Sequence, residues 1–283
     1  MKVSVVIPCY KSKIILKRVI KNIPKFVSYI ILVDDKCPEN TVLHCLKNYS
    51  DKRIYPIFNK KNLGVGGSVI NGYKKALKLK SDIIIKVDSD GQMDLSKMKK
   101  MISIFKENSN IGYLKANRFY SFKSILKIPT IRLIGNFILT IINKFSSGYW
   151  KINDPTNGYT AIRASYCKKL KLNKIKKNFF FESDMLHHLY TINTKVLDID
   201  VESKYNFGNS SNLVIHKIIP YFIKNHLINF FKRIYRNKIL FLFYNFTFIS
   251  LIVAFLFKFE FIYLFNFTII SLTIFFDILN EPR

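Results

Sequence analysis

Acidic residues are scarce in this chain. Its 283 residues carry 18 Asp and Glu against 46 Lys and Arg, a formal net charge of +28. Such a field attracts polyanions. No nucleic-acid recognition motif is present, so nucleic acid is not expected as a partner and an anionic membrane is the better candidate. Cysteine is equally sparse. Cys9, Cys37, Cys45 and Cys167 lack paired metal-site spacing and suit a reduced compartment, with Cys9 expected in the core. Trp150 is the single tryptophan, and neither a repeat nor a low-complexity linker interrupts the chain. No signal-peptide pattern precedes the first apolar run.

What is present is a series of apolar runs that end in polar residues. Lys2 to Tyr10, Tyr29 to Asp35, Arg53 to Asn59 and the run ending at Asp88 read as strands. Helix-like spans at roughly 12–23, 39–48 and 66–79 separate them. Strands alternating with helices predict an α/β unit with a mostly parallel sheet and right-handed crossovers. Acids at strand ends then fall along one rim, where open sheets of this kind bind ligands.

The richest segment is Ile83-Ile-Ile-Lys-Val-Asp88-Ser-Asp90-Gly-Gln92. Residues i and i+2 of a strand point the same way, so Asp88 and Asp90 are expected to converge. Two carboxylates on an exposed turn suit a hard divalent cation that also holds phosphate oxygens. A strand followed by an ordinary polar turn is the plainer alternative. Gly64, Gly66 and Gly67 are read as turn chemistry before a helix, since no P-loop lysine pattern accompanies them.

Val5-Val-Ile-Pro8-Cys-Tyr10, Val33-Asp34-Asp35, Asn62-Leu-Gly64-Val-Gly66-Gly67 and Val87-Asp88-Ser-Asp90-Gly-Gln92 follow one another in order. Over roughly residues 1–210 this resembles a family 2 glycosyltransferase with a GT-A, Rossmann-like fold. More narrowly, it is similar to the polyprenyl-phosphate branch that includes dolichol-phosphate mannose synthases. The resemblance implies an inverting enzyme with a UDP- or GDP-sugar donor and Mg2+ or Mn2+. Pro8 and Tyr10 would border the base, and Asp35 would contact uracil or ribose. Asp88 would face ribose and metal, Asp90 would ligate the metal, and Gln92 would lie near the sugar. Lys11-Ser12 stands where the family commonly has Asn-Glu, and Lys36-Cys-Pro-Glu39 where it often has Gly-Ser-x-Asp.

Asp154-Pro-Thr-Asn-Gly158-Tyr-Thr160 resembles a further family segment, with Thr160 where arginine is usual and Arg163 three residues on. Glu182 and Asp184 open a helix-like stretch. There the family implies a general base, for which Asp184 is the candidate, and helix capping is the structural alternative. The Gln-x-x-Arg-Trp motif of processive synthases is absent. A sugar hydroxyl needs a base, but a lipid phosphate already carries an oxyanion. From Asn108 to Asn153 there is no acid, yet Arg118, Arg132 and several lysines are present. Arg118 and Arg132 match the family's acceptor-phosphate positions, and Arg163 joins them as a candidate.

The C-terminal part differs in kind. His216 to Lys238 mixes basic and apolar residues without an acid and reads as an amphipathic helix on a membrane surface. Ile239 to Phe257 is uncharged, and at about 1.5 Å per residue would span roughly 29 Å as a helix. Lys258-Phe-Glu260 interrupts it before the uncharged run Phe261–Phe276, so a two-helix membrane hairpin is expected over 239–279. Lys258 and Glu260 would snorkel at its tip. A re-entrant pair, interfacial helices or a soluble helical core are the alternatives. The expected organisation is therefore a catalytic domain (1–210), a juxtamembrane helix (211–238) and an anchor (239–279). The domain would face the cytoplasm on the inner membrane. The expected reaction moves one sugar to polyprenyl phosphate. The competitors are transfer to a hydroxyl of a lipid-linked saccharide and a catalytically silent nucleotide-binding scaffold. A homo-oligomer is compatible with this reading.

Overall fold

The structure, a computed structural model, describes residues 1–120, 125, 130–201, 215–257 and 260–282. The four apolar runs form β1 (Val3–Cys9), β2 (Tyr29–Asp34), β3 (Ile54–Phe58) and β4 (Ile83–Lys86). Three further strands follow: β5 (Ile111–Asn117), β6 (Thr160–Arg163) and β7 (Lys195–Asp200). The seven make one sheet in the order β3-β2-β1-β4-β6-β5-β7. β3, β2, β1 and β4 run parallel, β6 runs antiparallel to β4 and β5, and β7 is parallel to β5.

β1, β2 and β4 are apolar almost without alternation because helices cover both faces. One face packs against α1 (Leu16–Lys21), α2 (Thr41–Asn48) and α4 (Met98–Glu107). The other packs against α3 (Gly64–Lys78), α6 (Ala164–Lys169) and α7 (Phe181–Thr191). Gly66 does more than make a turn. A Cβ there would lie 2.6 Å from the Lys176 carbonyl and 2.7 Å from Phe181 Cβ, so its hydrogen lets α3 press against the segment entering α7. All four cysteines are free and buried.

Four helices extend beyond this unit: α5 (Thr130–Ser147), α8 (Ile215–Arg236), α9 (Lys238–Phe257) and α10 (Glu260–Leu279). α8 is inverted relative to an ordinary surface helix. It buries Asn225, His226, Asn229 and Arg233 and exposes Ile223, Leu227, Ile228 and Phe231. Three of these side chains reach partners in the domain beneath, while Asn225 donates to the Tyr221 carbonyl of its own helix. His226 Nδ1 and Ser146 Oγ are 2.7 Å apart, Asn229 Nδ2 donates to Asp184 Oδ1 at 2.8 Å, and Arg233 Nη2 donates to the Phe145 carbonyl at 2.7 Å. Arg233 also pairs with Asp277 of α10 at 2.6 Å, both side chains fully buried. A pair in that setting is held by geometry, and loss of either partner would strand a charge.

α9 and α10 lie antiparallel. Thr247 Oγ1 and Thr273 Oγ1 are 3.0 Å apart, and the Tyr244 hydroxyl donates to Asp277 Oδ2 at 2.7 Å. Among the described residues no helix is long and apolar enough to cross a membrane. Lys258 and the Glu260 side chain, the expected hairpin tip, lie outside the described residues.

Candidate active site

The carboxyl ends of β1, β2 and β4 form one rim. β4 stops at Lys86, so Asp88 and Asp90 stand in the turn beyond it rather than on the strand itself. Strand alternation therefore does not bring them together. The turn does, with Gly91 at φ +74° and the Gln92 amide donating to Asp90 Oδ1 at 3.0 Å. Burial, and then the neighbouring Asp88 charge, raises the Asp90 carboxyl above its ordinary range. A nearby cation would relieve both effects.

Beneath the turn lies a charge cluster of a kind that cores seldom hold. Lys86, only 1% exposed, places its Nζ 2.8 Å from Asp88 Oδ1 and 2.7 Å from Glu182 Oε1. Burial opposes its charge, but Asp88 and Glu182 outweigh that and hold the ammonium firmly protonated. Thr160 of β6 is the cross-strand partner of both Lys86 and Lys115. Cross-strand partners share a sheet face, so both buried lysines lie on the α7 side. Burial pushes Lys115 down to about 8, with Glu182 and Asp154 opposing the fall, and its Nζ donates to the Asn157 carbonyl at 2.7 Å.

The Asp154–Gly158 loop closes this cluster. Asp154 is fully buried and receives Arg118 through Nε at 2.7 Å and Nη2 at 2.8 Å, as well as the Arg118 amide at 3.1 Å. At the loop's other end, any Cβ on Gly158 would collide with Asp88 Oδ2 and Lys86 Nζ.

The remaining sequence candidates fall in different places. Tyr10 is exposed and Pro8 half-buried at the end of β1, next to Lys11 at φ +51°. Asp35 is buried on the same rim. Its oxygens accept from Asn59 Nδ2 at 2.9 Å, the Leu63 amide at 2.8 Å and the Gly64 amide at 2.9 Å, so it fastens the entry to α3. Gln92 is half-buried beside Asp90. Arg132 lies in the first turn of α5, and its side chain is outside the described residues. Arg163 is not brought to this site. It pairs with Ile83, at the far end of β4 from Asp88. Its guanidinium donates to the carbonyls of Ile111 and Asn108, each at 2.7 Å, and to that of Phe105. Arg118 is first a brace for Asp154. Asp184 is buried and faces α8, not Asp88: it accepts from the Lys176 amide and Asn229 Nδ2, each at 2.8 Å, with His188 Nε2 at 3.5 Å. Burial pushes its carboxyl up, but these donors outweigh it and keep it below the ordinary range.

Sequence reasoning passed over Lys86, read Lys115 only as part of the acid-free basic stretch although it is buried in the sheet, and left Glu182 in the shadow of Asp184. The signal was there for Lys86: a lysine closing an Ile-Ile-Ile strand in a two-sided core must be paired.

Among the described residues no group of three His, Cys, Asp or Glu side chains could hold a metal. The Asp88–Asp90 pair still fits Mg2+ or Mn2+, because such ions are commonly held by one or two carboxylates plus substrate phosphates.

Residues 4–171 match the model of glycosyl transferase family 2. A UDP-N-acetylglucosamine–dolichyl-phosphate N-acetylglucosaminyltransferase of Methanococcus voltae is 25% identical over 230 residues, 75% of this chain and 91% of the relative. An undecaprenyl-phosphate mannosyltransferase of Micrococcus luteus is 21% identical over 230 residues, 76% of this chain and 92% of the relative. Among solved structures, a glucosyl-3-phosphoglycerate synthase from Mycobacterium tuberculosis in complex with Mg2+ and UDP is similar with a TM-score of 0.61. It is 11% identical, covering 82% of this chain and 79% of that one, a likeness of fold alone.

Gly158→Ala should disturb Lys86 and Asp88 together. The expected result is at least a tenfold loss of transfer activity, with a stability loss in the usual range of about 0.5–3 kcal/mol. Full activity in a folded Gly158→Ala protein would contradict the closure described here.

Proposed function

This chain belongs to glycosyl transferase family 2 and has its GT-A fold, and from that premise we propose that it transfers a sugar from a nucleotide sugar to polyprenyl phosphate with inversion. An acceptor phosphate oxygen attacks the anomeric carbon as the bond to the nucleoside diphosphate breaks. The diphosphate leaves with its added negative charge. Relatives named for dolichyl- and undecaprenyl-phosphate substrates support this acceptor class.

One observation carries the choice of phosphate over hydroxyl. Asp184, the natural base candidate, has both carboxylate oxygens engaged, by Lys176 and Asn229, and Glu182 is bound to Lys86. A hydroxyl nucleophile needs a carboxylate ready to take its proton, whereas a phosphate oxyanion needs only a place to sit. Arg132, at the start of the acid-free helix α5, is the phosphate-binding residue in this reading. Tyr10 and Pro8 border the base, and Gln92 lies towards the sugar. Asp88 and Asp90 would hold Mg2+ or Mn2+, which when bound neutralises charge on the leaving diphosphate.

The exposed apolar face of α8 and the apolar α9 support docking on a membrane. Lys224, Lys232, Arg236 and Lys238 beside them favour anionic lipid and the cytoplasmic leaflet, where nucleotide sugars are available. Sedimentation with vesicles containing phosphatidylglycerol checks this. The wild-type chain should co-sediment, and Leu227→Glu combined with Phe231→Glu should reduce binding at least tenfold. Equal binding by both proteins would remove the docking assignment.

Asp184→Asn tests the acceptor. With a phosphate acceptor the folded variant should retain appreciable activity and the same pH profile. With a hydroxyl acceptor, loss of the base should cost about 10²–10⁴-fold and erase one limb of the profile. The second result would sink the phosphate reading.

A further inference from the structure

We propose that Lys86 makes metal binding at Asp88 and Asp90 conditional on the donor: alone, the lysine counters Asp88 and keeps the cation weakly held, and a nucleoside diphosphate supplies the charge that secures it. This rests on the reading of Asp88 and Asp90 as the metal carboxylates.

The geometry fixes the ammonium where it competes. Lys86 Nζ is 2.8 Å from Asp88 Oδ1, and the side chain is 1% exposed. It sits on β4 with the Gly158 backbone packed against it, so it cannot swing into solvent when an ion arrives. One oxygen of Asp88 is thereby engaged by the ammonium and Oδ2 lies beside Gly158, so the Asp88–Asp90 pair offers a cation few unencumbered oxygens. Among the described residues no third acid, histidine or cysteine completes the set. Asp88 and Asp90, with the ammonium set against Asp88, offer too little free charge to strip much water from a small divalent ion. The two phosphates of a nucleotide add both charge and oxygen ligands. Repulsion from the fixed ammonium is then outweighed, and cation and donor bind as a unit.

Glu182 sets how firmly Lys86 holds Asp88, because it shares the same ammonium at 2.7 Å from the first turn of α7. Removing Lys86 and removing the charge of Glu182 must therefore act in opposite directions. A purely structural role gives no such sign reversal.

The test is an Mn2+ titration of the purified full chain, read by electron paramagnetic resonance of free Mn2+, with and without UDP. It compares wild type, Lys86→Met and Glu182→Gln. The wild type should bind Mn2+ much more tightly with UDP present. Lys86→Met should tighten Mn2+ binding without UDP by roughly tenfold or more and shrink the gain from UDP, as expected for loss of a unit charge close to the ion. Glu182→Gln should weaken it by roughly three- to tenfold, since the whole ammonium charge then falls on Asp88. Unchanged or weaker binding in Lys86→Met, or a shift of both variants in one direction, overturns the role of Lys86 and leaves the metal reading standing. Should thermal melting show Lys86→Met unfolded, Glu182→Gln decides alone, and unchanged or tighter binding there overturns the proposal. If the wild type binds UDP yet takes up no Mn2+ with it, the metal reading itself fails and the proposal falls with it.

Discussion

A single buried ammonium organises the catalytic end of this protein. Lys86 closes an Ile-Ile-Ile strand in the middle of the sheet, where an unpaired charge would cost several kcal/mol. Its cost is offset only because Asp88 reaches back from the following turn and Glu182 reaches across from α7. The strand, the turn and the helix are thereby locked to one point. The Asp154–Gly158 loop is then constrained too, because only glycine leaves room above the pair. Arg118 and Asp154 brace that loop from its other end.

This arrangement explains which parts of the site were readable from sequence. Asp88 and Asp90 stood out as a candidate pair because they follow an apolar run and close an ordered series of four motifs; an acid pair in a polar turn is by itself common. The manner of their convergence was not legible, since the strand stops at Lys86 and the turn geometry depends on Gly91. Glu182 and Asp184 are two residues apart on a helix, roughly 200° around its axis, so they cannot face the same way. Nothing in Phe-Glu-Ser-Asp says which one faces the sheet. Packing against α8 makes the choice, by giving Asp184 to Asn229 and leaving Glu182 to Lys86. Arg163 misleads for a similar reason. Three residues past Thr160 on an antiparallel strand lie at the opposite end of β4, away from the rim.

The C-terminal helices show a different limit. The basic and apolar mixture of α8 was plain, but its orientation was not. A helix of a water-soluble domain turns its apolar residues inward. Here polar Asn225, His226, Asn229 and Arg233 are buried, each meeting a partner or a closely packed ring, while Ile223, Leu227, Ile228 and Phe231 face outward. Such inversion is stable only where the outer medium is itself apolar or another surface covers the face. The same helix supplies the partner of Asp184, so the surface read as a docking face and the quieting of the base candidate depend on one packed interface.

The central claim is that the acceptor is a phosphate. The most direct measurement is incubation of the purified chain with a panel of radiolabelled nucleotide sugars and Mn2+, offering polyprenyl phosphate and free polyprenol side by side, followed by lipid extraction. The account predicts label in lipid with the phosphate acceptor alone, released by mild acid as expected of a sugar phosphodiester. Label on polyprenol, or on a lipid-linked saccharide in place of polyprenyl phosphate, would contradict it.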